Sequence, residues 1–164
     1  MSRLVTRKRG LFGSLVLAAT AAGALAVNNV GHDEGLRLRT YKDIVGVPTF
    51  CYGETQGAVM GRTYTKAQCD ELLLKRLDEF AGKVEACIKR PMSDKTLMAF
   101  TSFSYNVGSA GACKSTAYRL YNAGDFAGGC RAMAAWNRAG GRVIPGLTAR
   151  RDREVKLCLE GLKR

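Results

Sequence analysis

Histidine is nearly absent from this chain of 164 residues: His32 is the only one. Tryptophan is as scarce, with Trp136 alone, and no two cysteines have CxxC spacing. Too few ligands of the usual spacing remain for a zinc site, so we expect no metal and no cofactor. Acids are also few, 14 against 26 Lys and Arg, for a net charge of +12. That balance favours polyanionic partners: nucleic acid, anionic lipid or an acidic polymer. The cations are scattered rather than gathered in an aromatic-studded stripe, which argues against nucleic acid. No internal repeat or low-complexity linker divides the chain. Its length suits one domain, which can fold as two lobes around a cleft.

Charge is missing altogether from Leu11 to Val27, a run of 17 residues behind Arg3, Arg7, Lys8 and Arg9. Such a run is at the short end for a membrane span. Ten of its residues are Gly, Ala, Ser or Thr. The seven strongly apolar ones contribute roughly −2 to −4 kcal/mol on the insertion scale before the small residues subtract from it. The segment can enter a bilayer without being held there firmly. The basic prefix predicts an amino terminus in the cytoplasm and everything after it in the periplasm. Two readings compete: Ala24-Leu25-Ala26 fits a cleavable export signal, and Gly and Ala spread along the whole run fit a retained anchor. The boundary is drawn at residues 1–27 and 28–164.

Cysteine is the exception to this scarcity. Cys51, Cys69, Cys87, Cys113, Cys130 and Cys158 all follow the apolar run, and residues 1–27 hold none. An even count beyond an export signal points to three disulfides in an oxidising compartment. Six cysteines allow fifteen pairings and sequence does not choose among them. We expect neighbours along the chain to pair: 51–69, 87–113 and 130–158.

The chemistry-bearing stretch is Glu34 to Thr55. Glu34 stands near the end of a short helix or turn. Val, Thr, Phe and Tyr around Gly46 and Pro48 predict a β-hairpin carrying Asp43 and Thr49. Two acids on different elements can face each other across a cleft, as glycoside hydrolysis requires. Two acids and a threonine this close together also occur in solvated loops by chance, so residue types alone decide little. Further on, Thr65 to Gln68 fits a capping box. A long helix follows with Leu73, Leu77, Phe80, Val84 and Ile88 on its apolar face, joining the lobes and stopping before Pro91. Ser93 caps a helix with Leu97, Phe100 and Phe103 in the core, ended by Asn106 and Gly108. Ser115 and Asp125 cap two short helices. Gly140-Gly141 and Pro145-Gly146 frame a loop, and a last helix runs from about Thr148 to Leu162. Within it, Arg150 and Glu154 have ion-pair spacing.

Order and spacing carry more than residue types. Glu34-Gly35-Leu36-Arg37-Leu38, Tyr41-Lys42-Asp43, Gly46 to Thr49 and Tyr52-Gly53 with Thr55 resemble the phage T4-like lysozymes (glycoside hydrolase family 24), closest to the lambdoid signal-anchor-release endolysins. The likeness continues through Ser102 to Gly108, Trp136 with Gly140-Gly141, and Gly146-Leu147, Arg150-Arg151 and Glu154, covering roughly residues 30 to 162. Glu54 departs from it, standing where many relatives have histidine. The resemblance implies an α+β lysozyme fold, with a small β-containing lobe, a mainly helical lobe and an N-terminal apolar segment. It implies hydrolysis of the β-1,4 bond between N-acetylmuramic acid and N-acetylglucosamine in peptidoglycan, leading to host lysis. Glu34 becomes the general acid, in a partly apolar surround, with Asp43 and Thr49 positioning water. Inversion, which the family implies, needs room for that water between the carboxyls. Asn106 becomes a contact to a sugar amide, its alternative being a left-handed helix terminus. Trp136 becomes a stacking surface, its alternative a core residue with a polar edge. For residues 11–27 the resemblance favours a retained anchor in the inner membrane, later released to the periplasm. We expect a monomer. Rival readings are a lytic transglycosylase, a non-enzymatic cationic lysis protein, and a wall-binding module with a dead site.

Overall fold

A computed structural model describes residue 28, residues 30–43 and residues 45–163. The expected anchor, residues 11–27, lies outside them. Among the described residues no helix is long and apolar enough to cross a membrane.

The small lobe is a hairpin of β1 (Arg37–Lys42) and β2 (Pro48–Cys51), antiparallel with Tyr41 opposite Thr49 and a register shift between Arg37 and Tyr41. Residues 62–64 add to the other edge of β1: Arg39 bridges Thr63, Thr40 N–H donates to the Arg62 carbonyl, and Tyr64 N–H donates to that of Leu38. Phe50 stacks on Tyr64 with ring centroids 4.4 Å apart. The helical turn at residues 30–34 precedes the hairpin. Val30 is buried there, and a Cβ on Gly31 would stand 3.0 Å from the Tyr52 ring. Glycine lets the turn carrying Glu34 come this close to the hairpin's end without displacing the Tyr52 ring.

The capping box at Thr65 and Gln68 forms, and α1 (Lys66–Cys87) runs from the small lobe into the helical one. Its first half packs Leu73, Leu74 and Leu77 against Val30, Phe50, Tyr52 and Met98. Its second half joins a larger core built on Phe100, Phe103, Tyr118, Tyr121 and Met133. Each such fully buried side chain contributes about 1.5–3 kcal/mol. Ser93 caps α2 (Asp94–Val107), as predicted. Then come α3 (Ser109–Lys114), α4 (Thr116–Asn122), capped by Ser115, and α5 (Phe126–Ala132), capped by Asp125. The hairpin of β3 (Arg138–Ala139) and β4 (Arg142–Val143) and the last helix, α6 (Pro145–Gly161), complete the lobe.

Three details differ from the sequence reading. The α3 helix has no side-chain cap bond and six residues, too few for a periodic signal. The expected loop is instead a tight hairpin, because Gly140 and Gly141 both take positive φ (55° and 76°), the conformation a two-residue turn needs. Pro145 occupies the first turn of α6, where its missing N–H costs nothing, rather than a loop. The disulfides are those expected: Cys51–Cys69 ties β2 to α1, Cys87–Cys113 ties α1 to α3, and Cys130–Cys158 ties α5 to α6.

Candidate active site

Glu34 is the last residue of its helical turn, and Gly35, at φ 71°, turns the chain out towards β1. Its Oε1 accepts a hydrogen bond from Nη1 of Arg150 at 2.6 Å. Arg150 is itself buried and held on its other sides. Its Nε donates to Glu154 at 3.2 Å and its Nη2 to the Ser102 carbonyl at 3.2 Å. Burial alone would ease its proton off. The carboxylates of Glu34, Glu154 and Asp33 outweigh that and hold the guanidinium above its ordinary pKa. Glu34 therefore has a buried charge as its direct partner, beside the apolar Ile144 and Leu147 of the same groove. Asp33, next in the turn, pairs with Arg153. Glu154 also accepts from Ser102 Oγ at 2.6 Å and from Arg151 at 3.1 Å.

Glu34 opens onto a groove of about 420 Å³ lined also by His32, Asn106, Ile144, Leu147 and Arg153. Asn106 lies inside α2, and the chain reverses at Gly108 (φ 83°), so the helix-terminus alternative for Asn106 does not hold. Its Oδ1 accepts from Arg151 Nη2 at 3.0 Å, which aims the amide nitrogen elsewhere. Trp136 is not core: it is 39% exposed, packed edge-on against Phe103 at 5.7 Å, and absent from the groove's lining.

Asp43 and Thr49 sit together on the hairpin, also outside that lining. Asp43 Oδ1 accepts from the N–H groups of Val45 (2.9 Å) and Val47 (2.8 Å). This Asx-type turn explains why an aspartate fits the position locally. Thr49 is buried and donates its hydroxyl to the Val47 carbonyl at 3.0 Å. One peptide residue, Val47, thus connects both side chains. The Thr49 hydroxyl has spent its proton, so its lone pairs are what it can offer to a water.

The sequence reading gave Tyr105 no role and Glu54 no partner. Tyr105 packs against the core of Val30, Phe50 and Leu73, its phenol pushed up to about 12 by burial and then by the negative charges of Glu34 and Glu54. Glu54 accepts from Arg76 of α1 at 2.5 and 3.0 Å, and this pairing, more than burial opposes it, holds its carboxyl below the usual range. The departure from the family pattern at Glu54 therefore comes with its own partner. Among the described residues no cluster of three or more potential metal ligands occurs.

Residues 31–154 match the phage lysozyme family. The SAR-endolysin of Bacteriophage PS119 is 42% identical over 155 residues, 89% of this chain and 93% of that protein. A mutant of P22 lysozyme superposes with a TM-score of 0.77 at 28% identity, covering 83% of this chain and 96% of the other. The muramidase domain of SpmX from Asticaccaulis excentricus gives 0.76 at 27%, covering 82% and 95%. With the lysozyme-like architecture, the Glu34–Arg150 pair in its groove and sequence likeness over most of its length, the chain belongs to the phage lysozyme family.

Proposed function

We propose that this endolysin-like protein is a muramidase of the T4-like kind, cutting the β-1,4 linkage between N-acetylmuramic acid and N-acetylglucosamine. The observation that carries the reading is Glu34 facing an open groove with its carboxylate gripped by a buried arginine. Once incoming substrate has loosened the Arg150 contact, Glu34 takes up a proton from solvent and gives it to the leaving glycosidic oxygen. Asp43 stays anionic, and with the lone pairs of Thr49 it orients water or supports positive charge at the anomeric carbon. Asn106 offers its amide to the sugar from the groove wall, and the exposed face of Trp136 stacks on a further unit. The family membership, and the likeness to the muramidase domain of SpmX, support this reading.

Residues 1–27 act as the retained signal anchor and residues 28–164 as the catalytic domain, first on the periplasmic side of the inner membrane and then free. The likeness to SAR-endolysins and the weak, uncharged run at residues 11–27 support this. Amino-terminal sequencing of the released protein tests it, and a start at Val27 would end the anchor reading.

Product analysis on purified peptidoglycan tests the chemistry. E34Q should lower turnover by about 10²–10⁴-fold with the fold intact, and wild type should yield hydrolysed ends. Anhydro products with activity kept in D43N would make it a transglycosylase instead. Lysis that persists in E34Q would make it a membrane-disrupting protein.

A further inference from the structure

The small lobe carries an exposed surface outside the groove that Glu34 faces. The antiparallel pairing of Arg39 with Thr63 brings the turn at residues 57–61 back beside the hairpin turn, so both project from one end of the sheet. Four aliphatic side chains stand out there: Val45 is 76% exposed, Val59 56%, Met60 51% and Val47 41%. The stretch from Gly35 to Thr63 holds just two acids. Asp43 is tied to its own turn, and Glu54 faces Arg76. The end of the lobe thus carries exposed aliphatic side chains on two turns, with Lys42, Arg39 and Arg62 exposed on the adjoining strands.

We infer that this tip docks on the surface of an anionic bilayer. The four aliphatic side chains enter the headgroup region, and Lys42, Arg39 and Arg62 meet lipid phosphates. Apolar side chains on projecting turns with flanking cations suit a membrane interface, where buried apolar area and attraction to anionic lipid add. A glycan strand is met instead by a concave groove lined with hydrogen-bonding and aromatic side chains, whereas the most exposed side chains of the two turns are aliphatic. Asp43 lies in the same turn as Val45 and Val47, so a docked tip covers it and keeps the wall polymer away. That consequence rests on the role proposed for Asp43; the docking itself does not.

The test uses the full chain with Val59→Trp as a local reporter, read against the parent spectrum, on phosphatidylglycerol-containing and pure phosphatidylcholine vesicles with brominated acyl chains. Co-sedimentation tracks binding of the chain as a whole. The reporter should shift to the blue and be quenched in the anionic vesicles only. The pair K42Q/R62Q should weaken that transfer about fivefold per cation removed. The docking is overturned if the chain fails to bind anionic vesicles, or binds them while the reporter keeps its water-exposed emission. It is equally overturned if purified peptidoglycan shields the reporter and lipid does not, which assigns the tip to the polymer. Anionic vesicles should also slow hydrolysis of soluble glycan fragments less in V45S/V59S than in wild type. Docking without that difference leaves the tip assigned and removes the covering of Asp43.

Discussion

At Arg150, carboxylates on two different elements share one guanidinium. Glu154 is as deeply buried as Arg150, with 4% of either side chain exposed, whereas Glu34 keeps 23%. The two ends of the network should therefore respond differently to substitution. Arg150→Met takes one of two guanidiniums from the buried Glu154, which keeps Arg151 and Ser102, and should cost about 1.5–3 kcal/mol in urea unfolding. E34Q keeps a hydrogen-bonding oxygen at the solvent-facing end and should cost about 1 kcal/mol or less. Equal losses in the two variants would contradict this network. Glu54 gives a prediction in pH. Arg76 lowers its folded pKa, so the stabilisation is present above the ordinary carboxylate value of 4.5 and is lost as pH falls through the folded value. Wild type should exceed E54Q by about 1–2 kcal/mol near neutrality, allowing for solvent at the pair. The two should converge in acid, and a gap that persists there would assign the effect to packing instead. Only one of these pairings was legible locally. The spacing of Arg150 and Glu154 predicts an ion pair, and that pair forms, but Glu34 lies 116 residues away from Arg150.

At the scale of elements, close approach sets the tolerance. In α5, a Cβ on Gly129 would stand 2.9 Å from the Ala117 carbonyl and from the backbone nitrogen of Tyr121 in α4. Alanine there gains up to about 1 kcal/mol of helix propensity. It loses more to overpacking against backbone that cannot turn aside, about 1–3 kcal/mol. Gly129→Ala should therefore lower the melting temperature, and an increase would mean that α4 and α5 slide apart freely. Elements of this kind were readable where a local signal marks them. The caps at Thr65, Ser93, Ser115 and Asp125 were, and so was the run of β-branched and aromatic residues leading through β2. The β3–β4 hairpin was not, since two strands of two residues hold no period.

Over the whole molecule, the three disulfides divide the work. Cys51–Cys69 closes 18 residues and anchors the end of β2, two residues from Thr49, to α1. Removing it as C51S/C69S should cost about 3 kcal/mol by the loop-closure estimate. Its effect on turnover should exceed that of C130S/C158S, whose bridge joins α5 to α6 far along the chain from the hairpin. Matched assays of stability and glycan release on the two double variants decide this. Equal losses of activity would show that the hairpin needs no such brace.

What the sequence determined alone was everything set by neighbours within a turn or two. This includes the hairpin with Asp43 and Thr49, the helical turn ending at Glu34, the caps, and the absence of charge from residues 11–27. The reason is that capping, turn formation and periodicity act over a few residues. Tertiary structure alone decided that α6 brings Arg150 onto Glu34, that Trp136 faces outward, and that two turns of the small lobe join in one apolar, cationic tip. Those outcomes depend on which faces of remote elements meet. Packing selects them, and no local pattern in the chain encodes it.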